Sequence, residues 1–230
     1  MDEVLTGLAE TGYGAVEFCL EHPEASREKL FQARELGLEV SAVSYHGKND
    51  HSKTRMNMGK RVIELAETCS VRTAVFGSPL TGEPEFSLQA QTLYTLCLEA
   101  GVKPCWETEP DTVLDSLEDF QRLIVPLGPD AGLNLDAGHL HLQGNLRRGT
   151  IGSLGSRIHH VHLEGMQKGE HRHLLPGSGD MNWEELAEGL RIAQFRGPLI
   201  IDLFELPADW ISYISYAKEV LCRIIGCYLL

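Results

Sequence analysis

Apolar residues along the chain switch repeatedly between the two-residue period of a β-strand and the longer period of an amphipathic helix. Strands are predicted at Ala15–Phe18, Val40–Tyr45, Thr73–Phe76, Val102–Glu107, Gly132–Leu135, Ile158–Gly165 and Leu199–Leu203. Helices are predicted at Asp2–Glu10, Ser26–Leu36, Lys53–Cys69, Phe86–Ala100, Thr112–Val125, from Trp183 onward, and at Trp210–Ile225. Strands and helices that alternate in this way are typical of a parallel sheet covered by helices.

The stretch from Ile158 to Leu203 is rich in histidine and acidic residues. Strand alternation places three polar side chains on one face of its first strand, those of His160, His162 and Glu164. A Gly-rich loop with His171 and His173 follows. Asn182, with Glu185 three residues later, then predicts an N-cap and capping box. A strand with this polar face is poorly suited to an ordinary apolar core. Because the order is strand, loop, helix and then the strand at Leu199–Leu203, we interpret the stretch as a βαβ unit.

Polar side chains also occur at the ends of most other predicted strands. The full set is Glu17, His46, Glu107, Asp136, His162 and Asp202. No G-x-G-x-x-G turn follows a strand, which disfavours an open dinucleotide-binding sheet. In a closed barrel the C-terminal ends of all strands meet at one mouth, where these side chains would converge. The pattern therefore predicts a single barrel domain over residues 1–230.

Composition and charge narrow the function classes. The chain has 230 residues, 43% of them hydrophobic, which suits one sizeable core. No apolar run is long enough to span a membrane, and the acidic N-terminus does not resemble a signal peptide. A net charge of −13 argues against a nucleic-acid surface. We expect no nucleic-acid partner and no membrane association.

The cysteines favour a reducing compartment. The chain has 6 cysteines, with no C-x-x-C pair and no spacing typical of a disulfide framework. Such residues behave as small buried hydrophobes. The prediction for localisation is cytoplasmic.

Several short motifs in order identify a family. They are Gly12-Tyr13-Gly14-Ala15-Val16-Glu17, Gly101-Val102 with Trp106-Glu107, Asp136-Ala137-Gly138-His139, His160-Val161-His162-Leu163-Glu164, Pro176-Gly177-Ser178-Gly179-Asp180 with Trp183, and Gly197-Pro198-Leu199-Ile200-Ile201-Asp202. Together they resemble the xylose isomerase-like barrels, the sugar isomerase/epimerase superfamily that also contains endonuclease IV. The resemblance implies a TIM-type (β/α) barrel. The family's usual first strand has no counterpart here, so we expect seven strands.

The resemblance implies a metal site. The family holds one divalent ion with a Glu, an Asp, a His and a second Glu, and the matching positions are Glu107, Asp136, His162 and Asp202. Asp202 departs from the family, which usually has Glu there, and Glu205 is an alternative three residues later. Three carboxylates and one imidazole suit Mn²⁺ or Mg²⁺ best, with Co²⁺, Fe²⁺ or Zn²⁺ also accepted.

The resemblance also implies a reaction. A metal-bound ketose or related polyol would lose a proton from the carbon beside its carbonyl, as in an isomerase or a 3-epimerase. Glu107 and Asp202 are the predicted acid/base residues, which would take and return that proton. The predicted substrate-binding residues are His139, His46, Glu17, His173 and Arg172.

Three alternatives remain open at this point. An inosose-type dehydratase would use the same metal and the same initial proton abstraction. An endonuclease IV-like phosphodiesterase carries Asp-x-His where His171-Arg172-His173 stands here, but it also needs a His where Phe76-Gly77-Ser78 ends a strand. A non-catalytic sugar- or partner-binding barrel would have lost the first strand and one Glu.

The absent first strand predicts an oligomer. It leaves the strands at Ala15 and Leu199 as edges, and exposed edges tend to pair with other chains. The apolar segment Ile224–Leu230 is a candidate to cover such an edge or a partner. Two outcomes are possible: direct closure of these two strands into a tighter barrel, or an edge covered by a second subunit. The apolar C-terminal segment favours the second, so we expect a homo-oligomer.

Overall fold

The computed structural model describes residues 1–203 and 207–226. The chain forms two compact units, Met1–Asn134 and Leu135–Leu230. The alternative ligand Glu205 lies outside the described residues, as does most of the C-terminal segment proposed to cover an edge. The assignment of residues 1–230 to one domain stays a prediction.

The seven predicted strands occur in the predicted order, and two further strands lie between the sixth and the last. The strands are β1 Ala15–Cys19, β2 Glu39–Tyr45, β3 Thr73–Phe76, β4 Lys103–Glu107, β5 Gly132–Asp136, β6 Ile158–Leu163, β7 Gly165–Gln167, β8 Glu170–Leu174 and β9 Ile200–Ile201. Within the described residues, a seven-stranded sheet has the order β1-β2-β3-β4-β5-β6-β9. This agrees with the expected number of strands.

The helices alternate with the strands of that sheet. They are α1 Asp2–Glu10, α2 Arg27–Glu35, α3 Ser52–Thr68, α4 Glu83–Glu99, α5 Leu117–Asp119, α6 Ala137–Leu142, α7 Arg148–Leu154, α8 Trp183–Ile192 and α9 Trp210–Ile225. A π turn, Phe120–Ile124, and a 3₁₀ turn, Val125–Leu127, continue α5. In the described part of the chain, no helix has the length and apolarity needed to cross a membrane.

The first unit has a parallel ladder in which each strand pairs with the next along the chain. Tyr45, Phe76 and Trp106 are register partners across β2, β3 and β4. The Trp106 ring is fully buried, and its centroid lies 5.6 Å from that of Phe76. As expected from strand alternation, Trp106 belongs to the core, so its neighbour Glu107 is directed to the other face of the sheet.

The segment 112–116 is not helical, so the predicted helix Thr112–Val125 was wrong at its start. Two of its backbone amides donate hydrogen bonds to residues outside the segment: Val113 to the Pro79 carbonyl and Leu114 to Ser78 Oγ. The helix begins only after Ser116, whose Oγ accepts a hydrogen bond from the Asp119 amide at 3.2 Å. Tertiary hydrogen bonds have replaced the first turn of the helix.

In the second unit, the region between β6 and α8 is more ordered than predicted. The expected Gly-rich loop contains an antiparallel hairpin of β7 and β8, in which Gln167 pairs with Glu170 and Gly169 has a φ of +83°. Helices α6 and α7 were not predicted, because both are short and contain glycine. Strand β9 is shorter than expected, and it pairs with β6 through Leu163 and Ile201.

The start of α8 has the predicted N-cap but not the predicted capping box, because the Glu185 carboxylate accepts hydrogen bonds from Arg148 instead. Asn182 Oδ1 accepts a hydrogen bond from the Glu185 amide at 3.2 Å. We expect Asn182→Ala to lower the free energy of unfolding by about 1 kcal/mol, because an amide of the first turn loses its acceptor. Asn182→Asp keeps an acceptor and should unfold within a few tenths of a kcal/mol of the wild type in urea. Equal losses for both variants would contradict the capping role.

Candidate active site

Glu107, the last residue of β4, is the central buried acid of the first unit. It is only 3% exposed, and its Oε2 accepts a hydrogen bond from the side-chain amide of Asn134. His46 follows β2, and its Nδ1 lies 3.9 Å from the same oxygen. The structure thus groups two predicted site residues with one, Asn134, that the prediction missed.

A glycine explains how His46 reaches this position. A Cβ on Gly77, just after β3, would lie 2.7 Å from His46 Cα. The neighbouring strand end can therefore approach the His46 backbone only because residue 77 has no side chain. Glu17, another predicted substrate-binding residue, lies on β1 and is partly exposed.

A second buried acid of the first unit is Glu109. Its carboxylate forms an ion pair with Lys48, and Thr112 Oγ1 donates to its backbone carbonyl at 2.7 Å. The negative charge of Glu109 is therefore compensated by Lys48 and does not require a bound cation. Glu109 is therefore a matched control for Glu107.

In the second unit, two buried carboxyl groups face each other. They belong to Asp136, at the end of β5, and Glu164, just after β6. Asp136 Oδ1 caps α6 by accepting from the His139 amide at 2.7 Å, and Glu164 Oε1 accepts from the Gly138 amide. Their other oxygens, Asp136 Oδ2 and Glu164 Oε2, are buried without a hydrogen-bond donor among the described residues.

Burial raises the pKa of Glu164 well above its ordinary value, and the negative charge of Asp136 raises it further. Two carboxylates cannot remain side by side in a low-dielectric site without compensation. Either a shared proton or a cation between them would supply it. These donor-free oxygens therefore fit the ion that the family implies.

Two further predicted ligands, His162 and Asp202, lie close to each other in this unit. His162 is on β6, and its Nδ1 lies 3.9 Å from Asp202 Oδ2. Asp202 directly follows β9, and its side chain is 35% exposed. One ligand atom each from Asp136, His173 and Asp202 lie within 4.8 Å of one another. Three predicted ligands, Asp136, His162 and Asp202, thus lie at neighbouring strand ends of the second unit.

The remaining predicted residues lie on α6 and the hairpin. His139 Nδ1 lies 3.4 Å from Asp136 Oδ1, and His173 Nδ1 lies 3.3 Å from Asp202 Oδ2. His139 and His173 therefore contact candidate ligands. Arg172, between the two hairpin histidines, is exposed.

Asn134 and Glu164 are the site residues that sequence reasoning did not assign. The signal for both was strand alternation, because Asn134 precedes Asp136 by two residues and Glu164 follows His162 by two. Their roles depend on contacts with Glu107, Gly138 and Asp136, which the alternation alone does not reveal.

Buried acids and imidazoles at the ends of parallel strands define an α/β protein with candidate metal ligands at those ends. The chain belongs to the family described as xylose isomerase-like TIM barrel, whose model matches residues 5–220. The resemblance seen in the sequence and the expected fold class are both confirmed.

Curated relatives and solved structures agree with that family. A D-psicose 3-epimerase from Enterocloster bolteae is 30% identical over 44% of this chain and 32% of the relative. An inosose dehydratase from Mesomycoplasma hyopneumoniae is 22% identical over 98% of this chain and 89% of the relative. A xylose isomerase domain protein from Alicyclobacillus acidocaldarius is 19% identical, with a TM-score of 0.80 over 98% of this chain and 93% of that structure. At such identities the structural match shows the fold alone.

Proposed function

We propose that this protein is a divalent-metal-dependent isomerase or epimerase that moves a proton next to the carbonyl of a ketose or related polyol. The observation that carries the proposal is Asp136 Oδ2, an oxygen of a proposed ligand that is buried without a hydrogen-bond donor among the described residues, beside Glu164 and close to His162 and Asp202. A buried carboxylate oxygen without a donor is costly unless it binds something. The relatives supply the substrate class, because their names include a sugar epimerase and an inosose dehydratase.

The proposed ligands are Glu107, Asp136, His162 and Asp202, with Mn²⁺ or Mg²⁺ as the preferred ion. When bound, the ion would supply Lewis acidity toward the substrate carbonyl and charge stabilisation on its oxygen. Asp136 is suited to hold a cation with Oδ2, because Oδ1 is occupied as the cap of α6. Asp202 replaces the usual Glu of the family, so this ligand is one methylene shorter.

The chain's own residues would handle the proton. Glu107 is proposed to take it from the carbon beside the carbonyl through its carboxylate, which the Asn134 amide orients through Oε2. Asp202 is the proposed partner acid, and its partial exposure gives its carboxyl access to solvent for proton exchange. One residue acting alone would give an isomerase, and two residues acting on opposite faces would give an epimerase.

Substrate hydroxyl groups are proposed to contact His139, His46, Glu17 and His173, with Arg172 at the rim. His139 and His173 are each oriented by a carboxylate through Nδ1, which directs Nε2 away from that carboxylate. A fixed imidazole is a suitable hydrogen-bond partner for a sugar hydroxyl. We also propose a homo-oligomer in a cytoplasmic compartment. The described cysteines support the compartment, since all are free thiols.

A dehydratase is the second candidate, because the inosose dehydratase relative aligns with 98% of this chain. Both reactions begin with removal of a proton beside a carbonyl. They differ in the next step, in which a dehydratase expels a hydroxyl group as water. Product analysis separates them, since only the dehydratase lowers the substrate mass by one water.

Mn²⁺ binding and turnover test the proposal together. The wild type should bind about one Mn²⁺ per chain in equilibrium dialysis, and His162→Ala should bind almost none, because one of four ligands is lost. The metal-loaded wild type should convert at least one ketose from a panel of ketopentoses and ketohexoses into an isomer or epimer. Wild-type protein that binds no divalent ion with added Mn²⁺ would contradict the proposal.

A further inference from the structure

The first unit contains a small cavity between its sheet and the helices α3 and α4. Tyr45, Phe76 and Trp106 line it from near the C-terminal ends of β2, β3 and β4, and Arg55 and Gln89 line it from the helices. Its volume is about 20 Å³, where one water molecule or an ion of similar size needs about 10–15 Å³. The cavity therefore takes a single small occupant. A sugar is too large for it, since a cavity that binds benzene measures about 150 Å³.

The cavity lies on the other face of the sheet from the proposed general base. Trp106 and Glu107 are neighbours on β4, so their side chains are directed to opposite faces. His46, a proposed substrate contact, lines the cavity as well. An occupant of the cavity would therefore be close to His46 but would not contact the Glu107 carboxylate.

Trp106 brings an unpaired hydrogen-bond donor to this cavity. Its side chain is 0% exposed, and Nε1 has no hydrogen-bond acceptor among the described residues. A buried N–H group without an acceptor destabilises the folded chain, because its hydrogen bonds to water are lost and not replaced. An occupant that accepts a hydrogen bond would remove this cost.

Arg55 brings a positive charge without a paired carboxylate. Its guanidinium donates to the Asp50 backbone carbonyl at 2.7 Å and to Gln89 Oε1 at 3.2 Å, and both acceptors are uncharged. The Asp50 carboxylate instead accepts a hydrogen bond from the Tyr45 hydroxyl. Burial lowers the pKa of Arg55, and the charges of Glu85 and Asp50 offset that shift only in part. Within the described residues the guanidinium thus has no ion pair, and a negative charge beside it would be stabilising.

We propose that the cavity binds one small monovalent anion, such as chloride, between the Arg55 guanidinium and the Trp106 indole N–H. Both groups are donors that cannot accept a hydrogen bond, so they exclude a metal cation and favour an anion. The rings of Phe76 and Phe86 line the same space and limit the water around the ion, which strengthens its attraction to the guanidinium. A water molecule would satisfy the indole N–H but leave the charge of Arg55 uncompensated.

Thermal unfolding in two sodium salts tests the proposal on the full chain. At equal ionic strength the wild type should melt about 2–4 °C higher in chloride than in gluconate, because an ion that binds only the folded state stabilises it and gluconate has the bulk of a sugar. Arg55→Gln should lose this difference. Arg34→Gln is the matched control, because Arg34 is also partly exposed and donates to a backbone carbonyl, that of Ser70, but does not line the cavity. It should keep the wild-type difference.

Bromide locates the anion without any variant, so it decides the question even if Arg55→Gln fails to fold. Wild-type crystals grown in sodium bromide should give an anomalous peak within about 3.5 Å of both Trp106 Nε1 and the Arg55 guanidinium, the hydrogen-bonding range for a large acceptor. Water alone in the cavity, bromide found only as an adventitious ion on the surface, or an undiminished chloride effect in Arg55→Gln would overturn the site. Mn²⁺ binding and ketose turnover are measured separately, so these results would leave the proposed function standing.

Discussion

Glu107→Gln is expected to lower the turnover of a ketose by about 10²–10⁴-fold, the usual contribution of a positioned general base. The substitution keeps the size of the side chain but removes the charge that would accept the proton. It also weakens a proposed metal ligand, so turnover should be measured at saturating Mn²⁺ with metal content determined in the same sample. Full metal content with lost turnover would assign the effect to proton transfer.

Glu109→Gln is the control for this experiment. Glu109 is also a buried acid close to the end of β4, but its charge is compensated by Lys48. The Glu109→Gln substitution is expected to leave the turnover within about threefold of the wild type, a change below the range for a catalytic base. Equal turnover losses in the two variants would show that any buried charge in this region matters, which contradicts the specific role of Glu107.

Gly138→Ala is expected to lower the free energy of unfolding by about 1–3 kcal/mol, the range for an overpacked site. A Cβ at residue 138 would lie 2.5 Å from Met166 Cε and 3.0 Å from Glu164 Cδ. The Glu164 carboxyl would have to move from the position where the Gly138 amide now donates to it. Urea unfolding of the metal-free protein measures this cost.

Gly149→Ala is expected to have the opposite effect on the free energy of unfolding. Gly149 also lies in a short helix, but a Cβ there meets nothing within 4 Å. Alanine at this position should stabilise the protein by about 0.5–1 kcal/mol through helix propensity. Stabilisation by both substitutions would mean that the Glu164 carboxyl does not occupy the space beside Gly138.

The regular part of the fold could be predicted from periodicity. The bounds of α1, β3 and α9 agree with the sequence prediction, because each has an uninterrupted apolar pattern. The start of α5 failed because Ser78 and Pro79, distant in sequence, take the amides of Val113 and Leu114. Local propensity contains no information about such tertiary acceptors.

Only part of the candidate site could be predicted from the sequence. Motif positions nominated Glu107, Asp136, His162 and Asp202, and alternation placed them at strand ends. Whether the carboxyl groups of Glu164 and Asp136 face each other depends on the tertiary arrangement of the ends of β5 and β6. Likewise, the approach of His173 to Asp202 depends on a hairpin that periodicity did not predict.

Deuterium incorporation tests the central claim most directly. The Mn²⁺-loaded wild type is incubated in D₂O with the ketose that it converts best, and the recovered sugar is analysed by NMR. Deuterium is expected at the carbon beside the carbonyl, at a rate at least comparable to product formation, and none is expected with Glu107→Gln. Product that forms without any deuterium, or exchange that persists in both Glu107→Gln and Asp202→Asn, would contradict proton transfer by these residues.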